Sequence, residues 1–210
     1  MIILFANQKG GAGKSTLTLL LANYLTHLRH RTLTVIDMDY QQSLSALSGK
    51  SPPGTEPPYD IVPAELAQFP DLLQIIRRDA GMALVDLPGK MDDDGLIPVF
   101  GAADLVICPV AYDRFSVDST LLFSMVVRRI NPEARICYVP NRIKTLARYD
   151  NREEFDRTLA GFGTVTPALP DRVDFQRVMP GYLPITVVPL ILPVFDPIYQ
   201  AHLKGGGRAR

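Results

Sequence analysis

A glycine-rich stretch, residues 5–16 (FANQKGGAGKST), joins a short apolar run to a segment with helical periodicity. Gly10, Gly11 and Gly13 allow the backbone to turn tightly and to point several N–H groups at one spot. The positive end of the following helix faces the same spot, so an anion is stabilised there by two effects. The chain therefore requires a strand whose end leads directly into a helix, with a phosphate group as the expected ligand.

The polar residues of this stretch suit a nucleoside triphosphate with a magnesium ion. Lys14 is placed to reach the β- and γ-phosphates, the Ser15 hydroxyl to ligate Mg²⁺, and Thr16 to add a hydroxyl near the α-phosphate. The strict pattern GxxxxGK[ST] is not met, because Gln8 occupies the place of its first glycine. A second lysine, Lys9, precedes the glycine pair instead.

Short apolar runs alternate with amphipathic segments along most of the chain. Runs that are apolar throughout are typical of strands covered on both faces, as in parallel sheets. The predicted strands are 2–6, 32–37, 82–86, 104–110 and 134–140, and the predicted helices are 15–29, 71–79, 115–130 and 151–161. This order predicts an α/β fold with a doubly wound, mostly parallel sheet flanked by helices on both faces.

After Gly163 frequent prolines predict only short elements, namely a helical turn within 173–179 and an edge strand at 185–188. Residues 48–58, rich in Pro and Gly, are too few for an interdomain linker and indicate a surface loop. We expect one domain over residues 1–204 and a flexible tail at 205–210.

Composition excludes several classes of protein. The 22 basic and 22 acidic residues argue against a chain coated in positive charge, although a local basic patch remains compatible with them. Cys108 and Cys137 lie within apolar runs and are predicted to be buried, reduced thiols that hold neither zinc nor an iron–sulfur cluster. No signal peptide and no membrane-spanning run is recognisable, so a cytoplasmic location is expected.

Carboxylates follow two of the predicted strands. Asp37 and Asp39 (VIDMDYQQS) are two residues apart at a strand end and point the same way, toward the phosphate loop if the strands are neighbours. Capping of a helix is the alternative reading of this pair. Asp86 ends a further apolar run (ALVDLPG), where a carboxylate can hold Mg²⁺ through water. The acidic run 92–94 is interpreted as a solvated loop before the next helix.

The string KGGAGKS, residues 9–15, resembles the deviant Walker A motif of the ParA/MinD class of P-loop ATPases. The resemblance implies that Lys9 reaches across a dimer interface to the nucleotide of the other subunit, so that ATP acts as a dimerisation switch. It implies catalytic roles for Lys9 and Lys14, and contacts to ATP or ADP from the whole motif. The implied nucleotide-binding residues are Lys9, Gly10, Gly11, Ala12, Gly13, Lys14, Ser15, Thr16 and Asn141.

Three further segments carry the resemblance. Residues 35–43 resemble the family's DxDPQ signature, which implies that Asp39 orients or activates the attacking water and that Asp37 supports it. Tyr40 stands in place of the usual proline. Residues 83–89 resemble the hhhDxPP element, with Gly89 in place of its second proline. The implied Mg²⁺ ligands are Ser15, Asp37 and Asp86. In VPNRI, Asn141 corresponds to a family asparagine that contacts adenine, with a structural turn cap as the alternative.

The resemblance implies a slow ATPase that dimerises with ATP, binds DNA non-specifically and is stimulated by a ParB-like or other adaptor protein. Such proteins serve plasmid or chromosome partition or positioning, and associate with the nucleoid. The candidate DNA-binding residues, which are equally readable as solvated helix faces, are Arg142, Lys144, Arg148, Arg152, Arg157, Arg172, Arg177, Lys204, Arg208 and Arg210.

Three alternatives remain open. A ParA-like protein of conjugative DNA transfer would carry the same motifs. A MinD-like membrane-associated ATPase needs a C-terminal amphipathic helix, for which 195–210, with a proline and three glycines, is a poor candidate. A small ligase or kinase resembling dethiobiotin synthetase would need a substrate pocket that no segment indicates clearly.

Overall fold

The computed structural model describes residues 1–48, 56–79, 81–90 and 92–205. Its centre is a seven-stranded sheet in the order β3-β2-β4-β1-β5-β6-β7, and every strand pair is parallel in the described residues. The strands are β1 Ile2–Phe5, β2 Thr34–Asp37, β3 Asp60–Pro63, β4 Ala83–Asp86, β5 Leu105–Val110, β6 Arg135–Pro140 and β7 Thr164–Val165.

Seven α-helices connect the strands or follow them. They are α1 Lys14–Asn23, α2 Ser43–Ser48, α3 Phe69–Arg78, α4 Leu96–Gly101, α5 Arg114–Ile130, α6 Arg152–Ala160 and α7 Val188–Ile198. Single π-helical turns, Tyr24–Leu28 and Tyr199–Leu203, extend α1 and α7, and short 3₁₀ helices occupy Leu66–Gln68 and Val173–Arg177.

Both faces of the sheet are buried, which confirms the doubly wound fold predicted from uniformly apolar strands. Alternate residues of β1 face opposite ways: Ile3 packs in the cluster formed with α1, α2 and α7, and Leu4 in the cluster formed with α3 to α6. Cys108 and Cys137 are buried free thiols, as predicted, and burial raises the pKa of each to about 12.

The five predicted strands correspond to β1, β2, β4, β5 and β6, and the four predicted helices to α1, α3, α5 and α6. The helical turn predicted within 173–179 is the 3₁₀ helix Val173–Arg177. Within the predicted loop at 48–58, residues 49–55 lie outside the described residues, as do residues 206–210 of the predicted tail.

The edge strand predicted at 185–188 is wrong, because this segment leads into α7 at Val188. The prolines that argued against a helix there, at 189, 193 and 197, recur every four residues and all lie on its exposed face. The opposite face buries Ile191, Val194, Phe195 and Ile198. Packing of this face outweighs the hydrogen bonds that the interior prolines remove.

The topology places the candidate site at the carboxyl edge of the sheet. β1 is central and leads through residues 7–13, called here the glycine-rich loop, into α1. Strands β2 and β4 are adjacent, and their pairing sets Asp37 directly beside Asp86. Ligands bind at this edge in open α/β sheets.

Candidate functional site

The glycine-rich loop needs glycine at two of its positions. Gly11 and Gly13 have φ values of 72° and 96°, in the left-handed region that side chains disfavour. A Cβ atom on Gly13 would also lie 2.3 Å from Nδ2 of Asn141. The loop therefore adopts its turn, and receives a neighbouring side chain, only because these residues have no side chain.

Side chains of the loop itself and of the turn after β6 hold the loop in place. The Asn141 amide donates from Nδ2 to the carbonyl of Ala12 at 2.8 Å, and Arg142 donates from Nη1 to the carbonyl of Gly11 at 2.9 Å. Asn7, which is buried, accepts the backbone N–H of Lys9 at 2.7 Å and donates to the carbonyl of Pro109. The loop is thus preorganised without help from a ligand.

The contacts of Asn7 and Arg142 with the loop were not predicted from the sequence. The available signal for Asn7 is its position as a polar residue at the end of an apolar run, where burial demands hydrogen-bond partners. Arg142 was assigned only to a basic stretch. Its positive φ of 57° turns the chain after β6 so that its side chain reaches the loop.

A cavity of about 570 Å³ opens beside the loop. Six of the predicted nucleotide-binding residues line it: Gly10, Gly11, Gly13, Lys14, Ser15 and Thr16. Asp39, Tyr40 and Gly89 contribute further wall, together with Arg142. The structure therefore brings the glycine-rich loop and one predicted catalytic carboxylate to one cavity.

Lys14 is almost wholly buried at the base of this cavity. The loop after β4 approaches it closely, because a Cβ atom on Gly89 would lie 3.6 Å from Lys14 Nζ and 3.5 Å from Gly10 Cα. An ammonium group held here meets the phosphates of any nucleotide that the loop binds.

Asp37 and Asp86 form the most unusual electrostatic feature of the site. Asp37 Oδ2 accepts both the N–H and the hydroxyl of Ser45, at 2.9 and 3.0 Å. Its Oδ1 and both carboxylate oxygens of Asp86 are buried and have no hydrogen-bond partner in the described part of the chain. Burial raises the pKa of Asp86 to about 7, and the charge of Asp37 adds to this rise, which Ser15 and Lys14 only partly offset.

These orphaned oxygens fit a magnesium ion. Mg²⁺ prefers hard oxygen ligands and, in nucleotide sites, takes several of them from phosphates and water. Ser15 and the two aspartates would hold the ion together with phosphate oxygens and water molecules. Among the described residues, no group of three or more His, Cys, Asp or Glu side chains is placed to hold a metal ion.

Asp39 lies in the tight turn that follows β2. Its Oδ1 accepts the N–H of Gln41 at 2.9 Å, and its side chain is half-buried at the wall of the cavity. Beside it, Tyr40 points outward, with its hydroxyl 3.4 Å from Oδ2 of Asp93. Asp93 also accepts the N–H of Gly95 at 2.8 Å, in the turn before α4. The acidic run 92–94 is exposed, which agrees with its interpretation as a solvated loop.

Lys9, like Ala12 and Asn141, is a predicted nucleotide ligand that does not line the cavity. Its ammonium group lies 3.1 Å from Oδ2 of Asp113, and the two side chains are 49% and 44% exposed. It is not among the residues that line the cavity. Asp113 in turn caps α5 by accepting the N–H of Ser116 at 2.9 Å.

Comparison with known families matches residues 3–179 to the CobQ/CobB/MinD/ParA nucleotide binding domain. The chain therefore belongs to this family. The predicted ParA/MinD relationship is confirmed, and the family is one of nucleotide-binding ATPases.

Individual relatives are consistent with this membership. The chain is 30% identical over 165 residues to the chromosome-partitioning ATPase Soj of Thermus thermophilus. That match covers 64% of this chain and 66% of Soj, just under two thirds of its length.

Two solved structures share the fold at lower identity. A plasmid partition protein of Borrelia burgdorferi, bound to AMPPNP, superposes with a TM-score of 0.75 at 20% identity, over 95% of this chain and 98% of that one. The cell division ATPase MinD of Pyrococcus furiosus gives a TM-score of 0.74 at 15% identity, with the same coverage of both chains. These likenesses confirm the P-loop NTPase fold.

The unpaired oxygens of Asp86 allow a prediction about the stability of the ligand-free protein. Asp86→Asn removes a buried carboxylate without a partner, so we expect a free energy of unfolding higher by about 1–3 kcal/mol at pH 8 in EDTA. Because the pKa is raised in the folded state, the penalty of the charge grows as pH rises from about 4 toward 7, and the gain should be smaller at pH 5.

Denaturant unfolding of both proteins at the two pH values measures this difference. Asp92→Asn, a change of an exposed carboxylate, should leave stability within about 0.5 kcal/mol. A loss of stability in Asp86→Asn, at both pH values, would show that the carboxylate has a partner in solution. The same variant should bind MgATP more weakly.

Proposed function

We propose that this chain is a ParA-like ATPase whose subunits dimerise around ATP, bind DNA non-specifically and separate after slow hydrolysis that a ParB-like or other adaptor stimulates. Its cellular role would be the partition or positioning of a plasmid or chromosome. Nucleoid association would follow from DNA binding in the cytoplasm. The relatives that are a chromosome-partitioning ATPase and a plasmid partition protein support this assignment.

The observation that most supports the proposed dimer is the position of Lys9. Its side chain is absent from the lining of its own cavity, although it belongs to the loop that forms this cavity. A half-exposed ion pair such as Lys9–Asp113 contributes less than about 1 kcal/mol, so the ammonium can leave it readily. A second subunit facing the cavity would offer it a triphosphate, which carries far more negative charge than one aspartate.

Hydrolysis would use the residues already assembled at the cavity. Mg²⁺, held through Ser15, Asp37 and Asp86, would neutralise charge on the phosphates. Asp39 would accept a hydrogen bond from the water that attacks the γ-phosphorus, while the bond to the β–γ bridging oxygen breaks and ADP leaves. Lys14 and the partner subunit's Lys9 would stabilise the charge that moves onto the leaving group.

Asn141 would select adenine. One of the two Nδ2 hydrogens bonds to the carbonyl of Ala12, and in this proposal Oδ1 would accept from the base. An acceptor pairs with the amino group at position 6 of adenine and is repelled by the oxygen at that position of guanine. The alternative role, a structural cap, is compatible with this one because separate atoms of the amide perform the two.

The basic residues after β6 are the candidate DNA surface. Several are paired locally, as Arg148 is with Asp150 and Arg152 with Asp156, so one subunit offers only a weak positive field. A dimer doubles this field. Lys204 lies at the opposite edge of the sheet, in a cleft with Met1, and would take no part.

Nothing in the described residues favours the membrane alternative. Phe195, Ile198 and Leu203, which an amphipathic anchor would have to expose, are buried in the core. The described residues also contain no helix long and apolar enough to span a bilayer.

Lys9→Ala should abolish ATP-dependent dimerisation while leaving nucleotide binding by the monomer within about threefold, because the lysine acts on the partner's nucleotide. Asp113→Asn should have the opposite effect, dimerising at lower ATP concentration by up to about fivefold, since it frees Lys9 and an asparagine can still cap α5. Light scattering with size-exclusion chromatography measures both. If Lys9→Ala dimerises as the wild type does, the proposed contact of Lys9 with the partner's nucleotide is wrong. Arg77→Ala, at the opposite edge of the sheet, is the control.

Asp39→Ala should lower kcat for ATP at least about 100-fold and trap the ATP-bound dimer. This dimer should retain DNA on a nitrocellulose filter only with ATP, and the retention should fall steeply with salt. Loss of ATP binding in Asp39→Ala would mean that this carboxylate supports the nucleotide rather than the water. If retention of DNA does not depend on salt or on ATP, the protein does not bind DNA through an electrostatic surface that ATP controls.

Asn141→Asp should weaken ATP binding about tenfold or more, since a carboxylate cannot donate to the carbonyl of Ala12. Asn141→Ser should lose less affinity but also most of the preference for ATP over GTP. Competition of both nucleotides against a fluorescent ATP analogue measures these constants. A preference that survives in Asn141→Ser would assign base selection to other residues.

A further inference from the structure

A second cavity, of about 840 Å³, opens at the amino edge of the sheet, where the strands begin. It is called here the amino-edge cleft. The segments before β5 and β6 line it, together with the last turn of α3 and the π-helical turn after α7. Its volume falls within the range of small-molecule sites, and it lies at the end of the sheet opposite to the nucleotide cavity.

Three positively charged side chains line the amino-edge cleft, namely those of Arg77, Arg135 and Lys204. They come from three elements that are far apart in the chain: the end of α3, the start of β6 and the turn after α7. Within the described part of the chain, none of the three forms an ion pair or a side-chain hydrogen bond. The fold therefore brings three cations to one cleft without giving any of them a counterion.

Two carboxylates also line the cleft, but they do not neutralise these cations. Asp104 accepts the backbone N–H of Ile2 at Oδ2, at 2.7 Å, so part of its carboxylate is committed to β1. Glu133 is exposed and forms no ion pair among the described residues. The cleft thus offers unpaired cations together with carboxylate oxygens that can accept hydrogen bonds from a ligand.

Stabilisation of helix ends does not account for all three cations. Arg77 lies in the last turn of α3, where a positive charge interacts favourably with the helix dipole. Arg135 instead begins a strand, and it is the one exposed residue of β6. The carbonyls at the end of α4 are served by an amide, because Asn131 donates from Nδ2 to those of Gly101 and Ala103 at 3.3 and 3.0 Å. No helix end next to the cleft therefore requires the charge of Arg135.

The positive charge of Arg135 acts within the cleft itself. His202, which also lines the cleft, has a pKa lowered by burial and, to a smaller extent, by the charge of Arg135. The Nδ1 atom of His202 is buried and has no hydrogen-bond partner in the described residues. A neutral imidazole adds polarity to the cleft and removes no positive charge from it.

We propose that the amino-edge cleft binds a small phosphorylated ligand of the sugar phosphate or nucleotide class, whose phosphate contacts Arg77, Arg135 and Lys204. Guanidinium and ammonium groups donate charge-assisted hydrogen bonds to phosphate oxygens. Asp104 and Glu133 would accept hydrogen bonds from hydroxyl or amino groups of the same ligand. Because the glycine-rich loop lies at the other end of β1, this ligand and ATP would bind at the same time, and the inference does not depend on the proposed dimer.

The test titrates ribose 5-phosphate into the protein by calorimetry, with saturating Mg²⁺ and AMPPNP present so that the nucleotide cavity is already filled. We expect one molecule to bind per chain, with a dissociation constant below about 1 mM. Arg135→Gln and Lys204→Gln should each raise this constant about tenfold, because each removes a charge-assisted hydrogen bond. Both residues are exposed, so thermal unfolding and the affinity for AMPPNP should match those of the wild type.

Matched controls locate the site and define its ligand. Arg78→Gln removes the same charge one residue from Arg77, but Arg78 does not line the cleft and is paired with Asp79, so binding should stay within about twofold. Ribose, which lacks the phosphate, should not bind measurably. Inorganic phosphate should bind about tenfold more weakly than ribose 5-phosphate, because it lacks the hydroxyl groups of the sugar.

Several results would overturn the inference. Absence of binding to the wild type, or unchanged binding to Arg135→Gln and Lys204→Gln, would show that the cleft is not the site. An equal loss in Arg78→Gln would show only a general attraction to positive charge. Displacement of ribose 5-phosphate by a short DNA duplex would assign the cleft to nucleic acid and exclude a small-molecule site.

Discussion

The site depends on two aspartates that are buried side by side and not neutralised by the protein. Parallel pairing of β2 with β4 sets Asp37 beside Asp86, and three of their four carboxylate oxygens have no partner in the described residues. Such an arrangement destabilises the ligand-free fold. In the proposed function, the same oxygens, beside Ser15 and Lys14, would become favourable once a cation and a phosphate chain enter. The free energy stored in this pair would then couple binding of metal to binding of nucleotide.

Much of this arrangement follows from the sequence because its parts are local. Strands β1, β2 and β4 are apolar throughout, so their ends, and hence Asp37 and Asp86, could be placed at one edge of a sheet. The left-handed turn at Gly11 and Gly13 could be predicted for the same reason, since glycine is required by backbone sterics. The expected direction of Asp37 and Asp39, by contrast, assumed that β2 neighbours β1, whereas β4 lies between these two strands in the sheet.

The features missed from the sequence depend on tertiary contacts. Strand β3 is short, half-exposed and ends in a proline, so its formation depends on pairing with β2. Helix α7 forms because its apolar face finds a core to pack on, despite interior prolines. The bonds from Asn7 to Pro109 and from Arg142 to Gly11 each join residues more than 100 positions apart, a distance at which no periodicity carries information.

One of the two departures from the family pattern acquires a physical meaning in the fold. At Gly89 a Cβ atom would make ordinary van der Waals contacts with Gly10 and Lys14, so the space there does not require glycine. Tyr40 places an aromatic ring at the mouth of the cavity, where a proline would be smaller and could not contact Asp93. Tyr40 thus connects the turn that carries Asp39 to the loop that follows Asp86.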